Sequence, residues 1–217
     1  MASILGDPGP RRDRARRPSP ALLAVLGASL AGVLLWSALG PRDRLTWVLE
    51  ASPVMVALPL LALLYRRFAF TPLVYTLIWL HALVLLVGAH YTYAEVPAFE
   101  WLERLLGLSR NPYDRLGHIV QGVVPAMIAR EVLIRWSPLE RGGWLFLIVT
   151  SVCLAISALY EILEWWIALI EGSAAAAFLA TQGDPWDTQW DMALALGGAV
   201  VSQLSLGRWH DRQLGRA

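Results

Sequence analysis

Two segments of the chain share a pattern of polar residues with the capacity for chemistry. Each begins with an Asx residue and a proline and continues with an aromatic residue and an acid: Asn111-Pro112-Tyr113-Asp114 and Asp184-Pro185-Trp186-Asp187. A further ionisable residue follows each acid by four positions, His118 in the first segment and Asp191 in the second. Because residues four apart share one face of a helix, each segment predicts a helix start that points two ionisable groups in one direction.

A third segment adds two acids to an otherwise apolar stretch. Glu161 and Glu164 lie near the end of a long apolar run that must cross in the opposite direction. At ~1.5 Å of rise per residue along a helix, His118 and Asp191 lie about 9 Å beyond the prolines of their segments. On the same scale, Glu164 and Glu161 lie about 9 and 13 Å before residue 170, where the third segment ends. The spacing predicts that these four residues meet at one depth, and they are the candidate catalytic residues.

Three kinds of chemistry fit this cluster. Imidazole and carboxylate groups bind divalent ions such as zinc, manganese and magnesium, which predicts a metal site at His118, Glu164 and Asp191. Alternatively, His118 acts as a general acid or base that a neighbouring acid orients. In a third interpretation the same groups form a hydrogen-bond network that only holds the helices together. The sequence leaves all three open, and it indicates no cofactor beyond that divalent metal.

The residues around the cluster predict either the rim of a site or the starts of helices. The acids of the two segments also suit helix capping and the helix dipole, because an Asx residue before proline is a typical N-cap. Substrate-binding or rim positions are predicted at Asp114, Gln121, His90, Tyr91, Asp187 and Gln189. Elsewhere, His81 is a lone ionisable residue within an apolar stretch, and Arg130 with Glu131 predicts a local ion pair or snorkelling groups.

The elements that position these residues are membrane helices. Of the 217 residues, 57% are hydrophobic and 16% charged, whereas about 25% are charged in soluble proteins. Six stretches have the roughly 20 mostly apolar residues that a spanning helix needs: 20–39, 46–65, 70–92, 113–135, 143–170 and 186–206. We predict an all-α transmembrane bundle of about six spans, with a short interfacial helix at 97–108. The lipid bilayer is the expected partner, and a net charge of +1 gives no reason to expect nucleic acid.

The distribution of arginine predicts the orientation in the membrane. Cytoplasmic flanks of membrane proteins are enriched in positive charge. With the N-terminus inside, 13 of the 18 arginines lie on the cytoplasmic side, five in the N-terminal tail and eight in later segments. The chain then divides into a cytoplasmic tail at 1–19, a membrane domain at 20–206 and a second cytoplasmic tail at 207–217. This orientation puts the polar cluster near the non-cytoplasmic face.

Longer motifs resemble a known family. The runs NPYDRLGHIVQGVVPAMIAREVLIR, YEILEWW and TQGDPWDTQWDM, with HYTYAEVPAFEWL upstream, are similar to the YjdF-like family of bacterial inner-membrane proteins over roughly residues 45–214. This resemblance implies a multipass protein of the bacterial inner membrane, and it implies no reaction.

A more distant resemblance concerns the polar residues alone. Asp114-x-x-x-His118, a later Glu at 161 or 164, and Asp187-x-x-x-Asp191 before two glycines are similar to the VanZ-like membrane proteins, of which VanZ is associated with glycopeptide resistance at the cell envelope. The chain departs from that pattern because the Asn after the last Asp is absent, and Ala195 stands four residues beyond Asp191.

Two function classes follow from these observations. One is an enzyme that uses the four candidate catalytic residues on a lipid-linked or envelope substrate at the outer leaflet. The other is a non-enzymatic transporter or envelope accessory protein, in which the cluster binds an ion, carries protons or holds the bundle. A transport path needs polar residues that continue inward, and Gln121, His81 and Glu131 are the candidates. The oligomeric state has no signal in the sequence.

Overall fold

Every regular element in the described part of the chain is a helix, which confirms the predicted fold class. The computed structural model describes residues 15–172, 179 and 181–215. These residues form seven α-helices and a short 3₁₀-helix at Tyr93–Glu95. In chain order the α-helices are α1 (Pro20–Ala38), α2 (Arg44–Leu64), α3 (Pro72–Tyr91), α4 (Pro97–Leu106), α5 (Tyr113–Trp136), α6 (Gly143–Glu171) and α7 (Asp187–Gln213).

Local side-chain chemistry sets the ends of several helices. The Ser19 hydroxyl accepts the N–H of Leu22 at 3.1 Å, and the Asp43 carboxylate accepts the N–H of Thr46 at 2.7 Å. Both are N-caps, which satisfy backbone donors that have no partner within the helix. Gly107 ends α4 in the left-handed conformation with a φ of 63°, which other residues rarely adopt. The chain therefore turns sharply from α4 into the segment that starts α5.

Five described helices are long and apolar enough to cross a membrane: α1, α2, α3, α5 and α6. The predicted sixth span corresponds to α7, which has 27 residues but a less apolar composition. The reason is its inward face, because Asp187, Asp191, Gln203 and His210 of this helix are buried in the bundle. Every predicted stretch thus forms a helix, while the sixth crossing stays a prediction.

The last helix continues past its predicted end. The sequence predicts a tail from residue 207, but α7 reaches Gln213, and several side chains in its last turns are buried. His210 is fully buried, and the Gln213 side chain accepts the N–H of Leu73 at 3.0 Å. These contacts hold the start of α3 against the end of α7. Residues 207–213 therefore belong to the bundle rather than to a separate tail.

Helix α5 lies at the centre of the bundle, in contact with α3, α6 and α7, while α1 and α2 pack on α3. The three helices α5, α6 and α7 are mutual neighbours, as the short connections between them predict. Contacts near both ends, His118 with Asp191 and Arg130 with His210, show that α5 and α7 run side by side in the same direction.

Glycines allow the backbones of α5 and α7 to touch between those two ends. A Cβ atom at Gly122 would lie 2.7 Å from the carbonyl carbon of Ala195 and closer still to its oxygen. A Cβ atom at Gly198 would lie 3.2 Å from the carbonyl carbon of Ile119. Small residues at such crossings are typical of membrane helix pairs, because they let the backbones approach closely. No side chain fits between the two helices at this level.

A second polar cluster lies at the opposite end of α5 from His118. The fully buried Glu131 accepts hydrogen bonds from Thr71, from Arg135 at 2.7 Å and from His210 at 3.0 Å. The other ring nitrogen of His210 is 3.0 Å from a guanidinium nitrogen of Arg130. The predicted local pair between Arg130 and Glu131 is wrong, because consecutive helical residues point in different directions and each of the two finds a partner on another part of the bundle.

The predicted outer segments are described in part. Helix α4 corresponds to the predicted interfacial helix, and its Trp101, Leu105 and Leu106 side chains are 60%, 61% and 60% exposed. This open apolar face suits a position in the membrane interface, which stays a prediction. Residues 1–14 of the predicted tail at 1–19, and residues 173–178 and 180 of the predicted outer loop at 172–185, lie outside the described residues.

Candidate functional site

The two similar segments form similar helix starts, although the helices begin later than the pattern predicts. The Asn111 side chain accepts the N–H of Tyr113 at 3.0 Å, and the Asp184 side chain accepts the N–H of Trp186 at 2.9 Å. Each is an Asx-turn, in which the side chain bonds the backbone two residues on. The prolines therefore lie in the turn before the helix rather than at its first position, which corrects the predicted capping. Both turns direct the following acid towards the same space.

His118 lies between two aspartates near the starts of α5 and α7. Its Nε2 atom is 3.5 Å from Oδ1 of Asp114 and 3.7 Å from Oδ2 of Asp191. Its Nδ1 atom is 2.9 Å from the Gln121 carbonyl oxygen, which accepts hydrogen bonds, so Nδ1 carries a proton in this arrangement. The three ionisable residues are 7%, 6% and 3% exposed. The predicted closeness of His118 and Asp191 between neighbouring helices is confirmed, although only His118, and not Asp191, lines the adjoining cavity.

Arg110 fixes two of the acids from one side. It forms ion pairs with Asp187 and, at 2.8 Å, with Oδ2 of Asp114. The second oxygen of Asp114 is the one that faces His118. The arginine therefore orients the Asp114 carboxylate without entering the space beside the imidazole. Neither Asp114 nor Asp187 is only a helix-start residue, because each takes part in a buried ion pair.

Arg115 plays the same part for the α7 side of the cluster. One of its guanidinium nitrogens is 2.7 Å from Oδ2 of Asp184, and the other is 3.7 Å from Oδ1 of Asp191. Its guanidinium carbon also lies 5.5 Å from the centre of the Trp190 ring, which suits a cation–π contact. The longer distance to Asp191 exceeds that of a hydrogen bond, and Oδ2 of the same carboxylate is turned towards His118.

A partly open cavity of about 190 Å³ lies beside His118. It lies between α2, α3, α5 and α6, and although most of its surface is apolar, each of these helices contributes polar groups. The polar residues that line it are Glu50, His81, Tyr93, Asp114, His118, Gln121, Tyr160 and Glu164. A space of this size and polarity admits several water molecules or a small polar part of a substrate. Polar groups of this density inside a membrane helix bundle indicate a functional site.

The acids of α2 and α6 surround the cavity differently. Glu164 lines it directly, and Glu50 lines it from α2 while accepting a hydrogen bond from Tyr160 at 3.1 Å. Glu161 is 8% exposed and close enough to interact electrostatically with His118, but it does not line the cavity. Among the described residues, nothing donates a hydrogen bond to its Oε1 atom. The structure thus brings both predicted glutamates to the cluster, one at the cavity wall and one behind it.

Tyr93 closes the cavity between α3 and α5. A Cβ atom at Gly88 would lie 2.8 Å from Cδ2 of the Tyr93 ring and closer still to two other ring atoms, and one at Gly117 would lie 3.0 Å from Cε1, so both glycines make room for the ring. Burial raises the pKa of the Tyr93 hydroxyl well above its ordinary value of about 10. The hydroxyl therefore stays protonated at physiological pH, and it offers the cavity one neutral hydrogen-bond donor and acceptor.

Three predicted rim residues lie away from the cavity. His90 bonds the backbone carbonyl of Ser37 at 3.0 Å and stacks on the Trp36 ring, with 4.4 Å between the ring centres. Tyr91 lies against the same tryptophan, with 6.0 Å between ring centres. Gln189 is exposed on α7. None of the three lines the described cavity, and the two aromatic residues tie α3 to α1 instead.

Sequence reasoning did not single out Glu50. A signal for it exists, because an acid inside a stretch that is otherwise apolar enough to cross a membrane is a candidate functional residue by default. The roles of Arg110 and Arg115 carried no such signal, since arginines at a helix start are ordinary surface residues. Only the packing of α5 against α7 shows that they neutralise part of an acidic cluster.

The arrangement supports two kinds of chemistry. Asp114, His118 and Asp191 each offer one ligand atom, and these atoms lie within 4.8 Å of one another. This set differs from the predicted metal set by Asp114 in place of Glu164. The cavity also holds Glu50 and Glu164, which can exchange protons with a bound molecule. The buried acids outnumber the two arginines, so the site requires protons or another cation for charge balance.

Comparisons with known proteins add a family and no reaction. A family described as "Predicted membrane protein (DUF2238)" matches residues 22–212. The chain is 48% identical over 201 residues to "Inner membrane protein YjdF" of Escherichia coli (strain K12), with 93% of this chain and 96% of that protein covered. No solved structure matches the chain.

Proposed function

This chain belongs to the DUF2238 family of predicted membrane proteins, and on that premise we propose that it is a membrane-embedded enzyme. Its substrate is a lipid-linked or envelope molecule that reaches the site from the outer leaflet. The protein resides in the bacterial inner membrane with both termini in the cytoplasm. The arginine distribution supports this orientation, and the similarity to an inner membrane protein supports the location.

One observation carries the proposal. The His118 imidazole lies within 3.7 Å of two buried carboxylates and borders a partly open cavity that Glu164 and Glu50 also line. A hydrogen-bond network that only held helices together would have no need of a cavity with several ionisable groups at its wall. Ionisable groups around such a space are suited to acid–base work on a bound molecule.

The roles within the cavity follow from position. His118 with Asp114 and Asp191 forms the reaction centre, because these three groups converge on one point. Glu164 lines the cavity from α6 and is the candidate general acid or base. Glu161 lies behind that wall and tunes the electrostatic field at His118.

The packing below the site favours an enzyme over a transporter. The backbones of α5 and α7 meet at Gly122 and Gly198, which leaves no room for a polar side chain between these helices. Glu131, the candidate for an inward path, is fully buried and engaged by Thr71, Arg135 and His210. A site with no polar path between α5 and α7 is suited to a reaction at one face of the membrane.

The neighbourhood of the site supports a membrane-associated substrate. Helix α4 leads into the start of α5, and the Asn111 side chain bonds the carbonyl of Val96 just before α4, at 3.1 Å. The exposed Trp101, Leu105 and Leu106 of α4 form an apolar face of the kind that lies in the interface. A lipid-linked molecule in the same leaflet would have its polar group at the depth of this helix.

The test compares lipid-linked and envelope molecules by mass spectrometry in an Escherichia coli strain that lacks the relative named above. The strain carries an empty vector, this chain, or its His118→Asn, Asp191→Asn or Glu164→Gln variant, at equal membrane abundance. We expect the wild-type chain to change the amount of at least one such molecule and the three variants to behave like the vector, because an amide cannot exchange a proton as these groups do.

Two controls make the result interpretable. Gln189→Asn changes an exposed residue of α7 and is expected to act like the wild-type chain. His90→Asn removes a histidine that contacts α1 rather than the cavity, and it is also expected to keep activity. Identical profiles for the wild-type chain, the site variants and the vector would overturn the proposal, and so would full activity of all three site variants.

A further inference from the structure

The space beside His118 Nε2 is built for a cation. In the neutral tautomer that donates from Nδ1 to Gln121, the Nε2 lone pair faces Oδ1 of Asp114 and Oδ2 of Asp191. Three electron-rich atoms then face one point. The distances of 3.5 and 3.7 Å exceed the about 2.7–2.9 Å of a direct N–H···carboxylate bond between charged groups.

The same distances match the coordination of a small tetrahedral ion. Two ligands bound at about 2.0–2.1 Å to one zinc ion in tetrahedral geometry are about 3.3–3.4 Å apart. Two adjacent ligands of an octahedral ion at the same bond length are only about 2.9 Å apart, which is further from the observed spacing. Small side-chain shifts bring His118, Asp114 and Asp191 onto such an ion.

Asp191 supplies an independent observation. This residue is 3% exposed, makes no hydrogen bond to any residue that the structure describes, and has a buried Oδ1 atom without a hydrogen-bond partner. Its only basic neighbours within 4 Å in the described chain are Arg115 and His118, each at 3.7 Å. A buried carboxylate that lacks close partners is costly, and a bound cation removes that cost.

Neighbouring residues orient the side chains of the three ligands. Histidines that bind a metal usually donate their other ring N–H to an oxygen, and Gln121 provides that oxygen at 2.9 Å. Arg110 contacts the Asp114 oxygen that is turned away from His118, which orients that acid, and Arg115 lies 3.7 Å from the corresponding oxygen of Asp191. The oxygens that face Nε2 stay available to an ion.

We propose that Asp114, His118 and Asp191 bind one zinc ion, with the fourth coordination position facing the cavity. Three protein ligands and one open position are the pattern of catalytic zinc, which polarises a substrate oxygen or lowers the pKa of bound water. The inference deepens the proposed function and rests on it for the role of the site. Glu164 then lines the cavity beside the open position, as an acid–base group rather than a ligand.

The experiment measures zinc on the purified full chain in detergent, made without a polyhistidine tag and stripped with a chelator. Zinc content after reloading and dialysis is expected to be one ion per chain, and competition with a chromogenic chelator gives the affinity. Asp114→Asn, His118→Asn and Asp191→Asn are expected to bind at least tenfold more weakly. Glu164→Gln and the remote Asp43→Asn are expected to bind like wild type.

Cobalt substitution provides a readout that does not depend on the variants. Cobalt in a four-coordinate site of the wild-type chain is expected to show strong visible absorption, which zinc displaces. A wild-type chain that retains no zinc after reloading would overturn the proposal. Equal affinity of the wild-type chain and the three ligand variants would do the same. Loss of zinc in His118→Asn, Asp191→Asn and Glu164→Gln, with zinc kept in Asp114→Asn, would also overturn it and would favour the predicted His118, Glu164 and Asp191 set.

These results are separable from the test of the proposed function. If the lipid profile depends on His118 but the chain binds no zinc, the enzyme proposal stands with acid–base chemistry and the zinc proposal fails. If one zinc binds through the three ligands but the site variants leave the lipid profile unchanged, the zinc site stands and the enzyme proposal fails.

Discussion

Replacing Gly122 by alanine is expected to push α5 and α7 apart. A Cβ atom there would lie 2.7 Å from the carbonyl carbon of Ala195 and 2.9 Å from its Cα, while carbon atoms in contact prefer about 3.5–4.0 Å. The neighbours are backbone atoms, so no side chain can turn away. The helices must separate locally by about 0.8 Å or more, and Asp191 lies one helical turn from that point.

Gly197 provides a matched control. It also lies mid-helix, but a Cβ atom there would meet no atom within 4 Å. Both alanine variants gain helix propensity of up to about 1 kcal/mol, so their difference isolates the clash. Overpacking costs about 1–3 kcal/mol. For a chain of this length, that is a thermal midpoint roughly 2–12 °C lower for Gly122→Ala than for Gly197→Ala.

The assay follows thermal unfolding of both purified variants in one detergent by intrinsic fluorescence, with the lipid profile of the expressing strain as a second readout. Gly122→Ala is also expected to lose activity, because separation of the helices moves Asp191 away from His118. Equal thermal midpoints for the two variants would refute the close packing of α5 and α7 that underlies the account of the site.

Three further predictions test other parts of the molecule. The predicted outer segments are 42–44, 95–112 and 172–184, and single cysteines introduced there are expected to react with a membrane-impermeant label in intact spheroplasts. Protection of the last segment from the label would reverse the predicted orientation. Glu131→Gln is expected to lower the free energy of unfolding by about 1–3 kcal/mol in denaturant titration, because the amide keeps an acceptor but loses charge-assisted bonds. An unchanged midpoint would contradict a stabilising role for the Glu131 cluster. The Thr46 backbone N–H lowers the pKa of Asp43 in the folded chain. Wild type is therefore expected to be more stable than Asp43→Asn at neutral pH, and this advantage should vanish as the pH falls below about 3.9 and through the lower pKa of the folded state. An advantage that acid does not change would contradict this account.

The two polar clusters have different physical characters although both lie between α5 and α7. Around Glu131 every charged group finds a hydrogen-bonding partner at 2.7–3.2 Å, and the cluster holds α3, α5 and α7 together. Around His118 the distances are longer and a cavity adjoins them. A hydrogen-bonding partner for every charged side chain is typical of a structural network, while buried acids with unpaired oxygens beside a cavity indicate a binding site.

Much of the fold is determined by local sequence. Runs of about 20 apolar residues can be satisfied in a membrane only as helices, so five of the six helical stretches follow from hydropathy. The spacing of four residues between Asp114 and His118 places both on one helical face whatever the tertiary structure. The Asx-turns before α5 and α7 are likewise local. For this reason the fold class and the position of His118 near the start of its helix could be predicted.

The rest of the site depends on which helices pack together and in what rotation. Glu50 reaches the cavity only because α2 packs beside α3, and His90 leaves it because α3 turns that residue towards α1. Asp114, and not the predicted Glu164, lies beside His118 and Asp191. The reason is that the backbones of α5 and α7 touch at glycines, which brings side chains of these two helices closer together than to those of α6. Hydropathy sets the position of a residue along a helix, but the choice of neighbours is made by backbone contacts between segments far apart in the chain, and no local pattern encodes those.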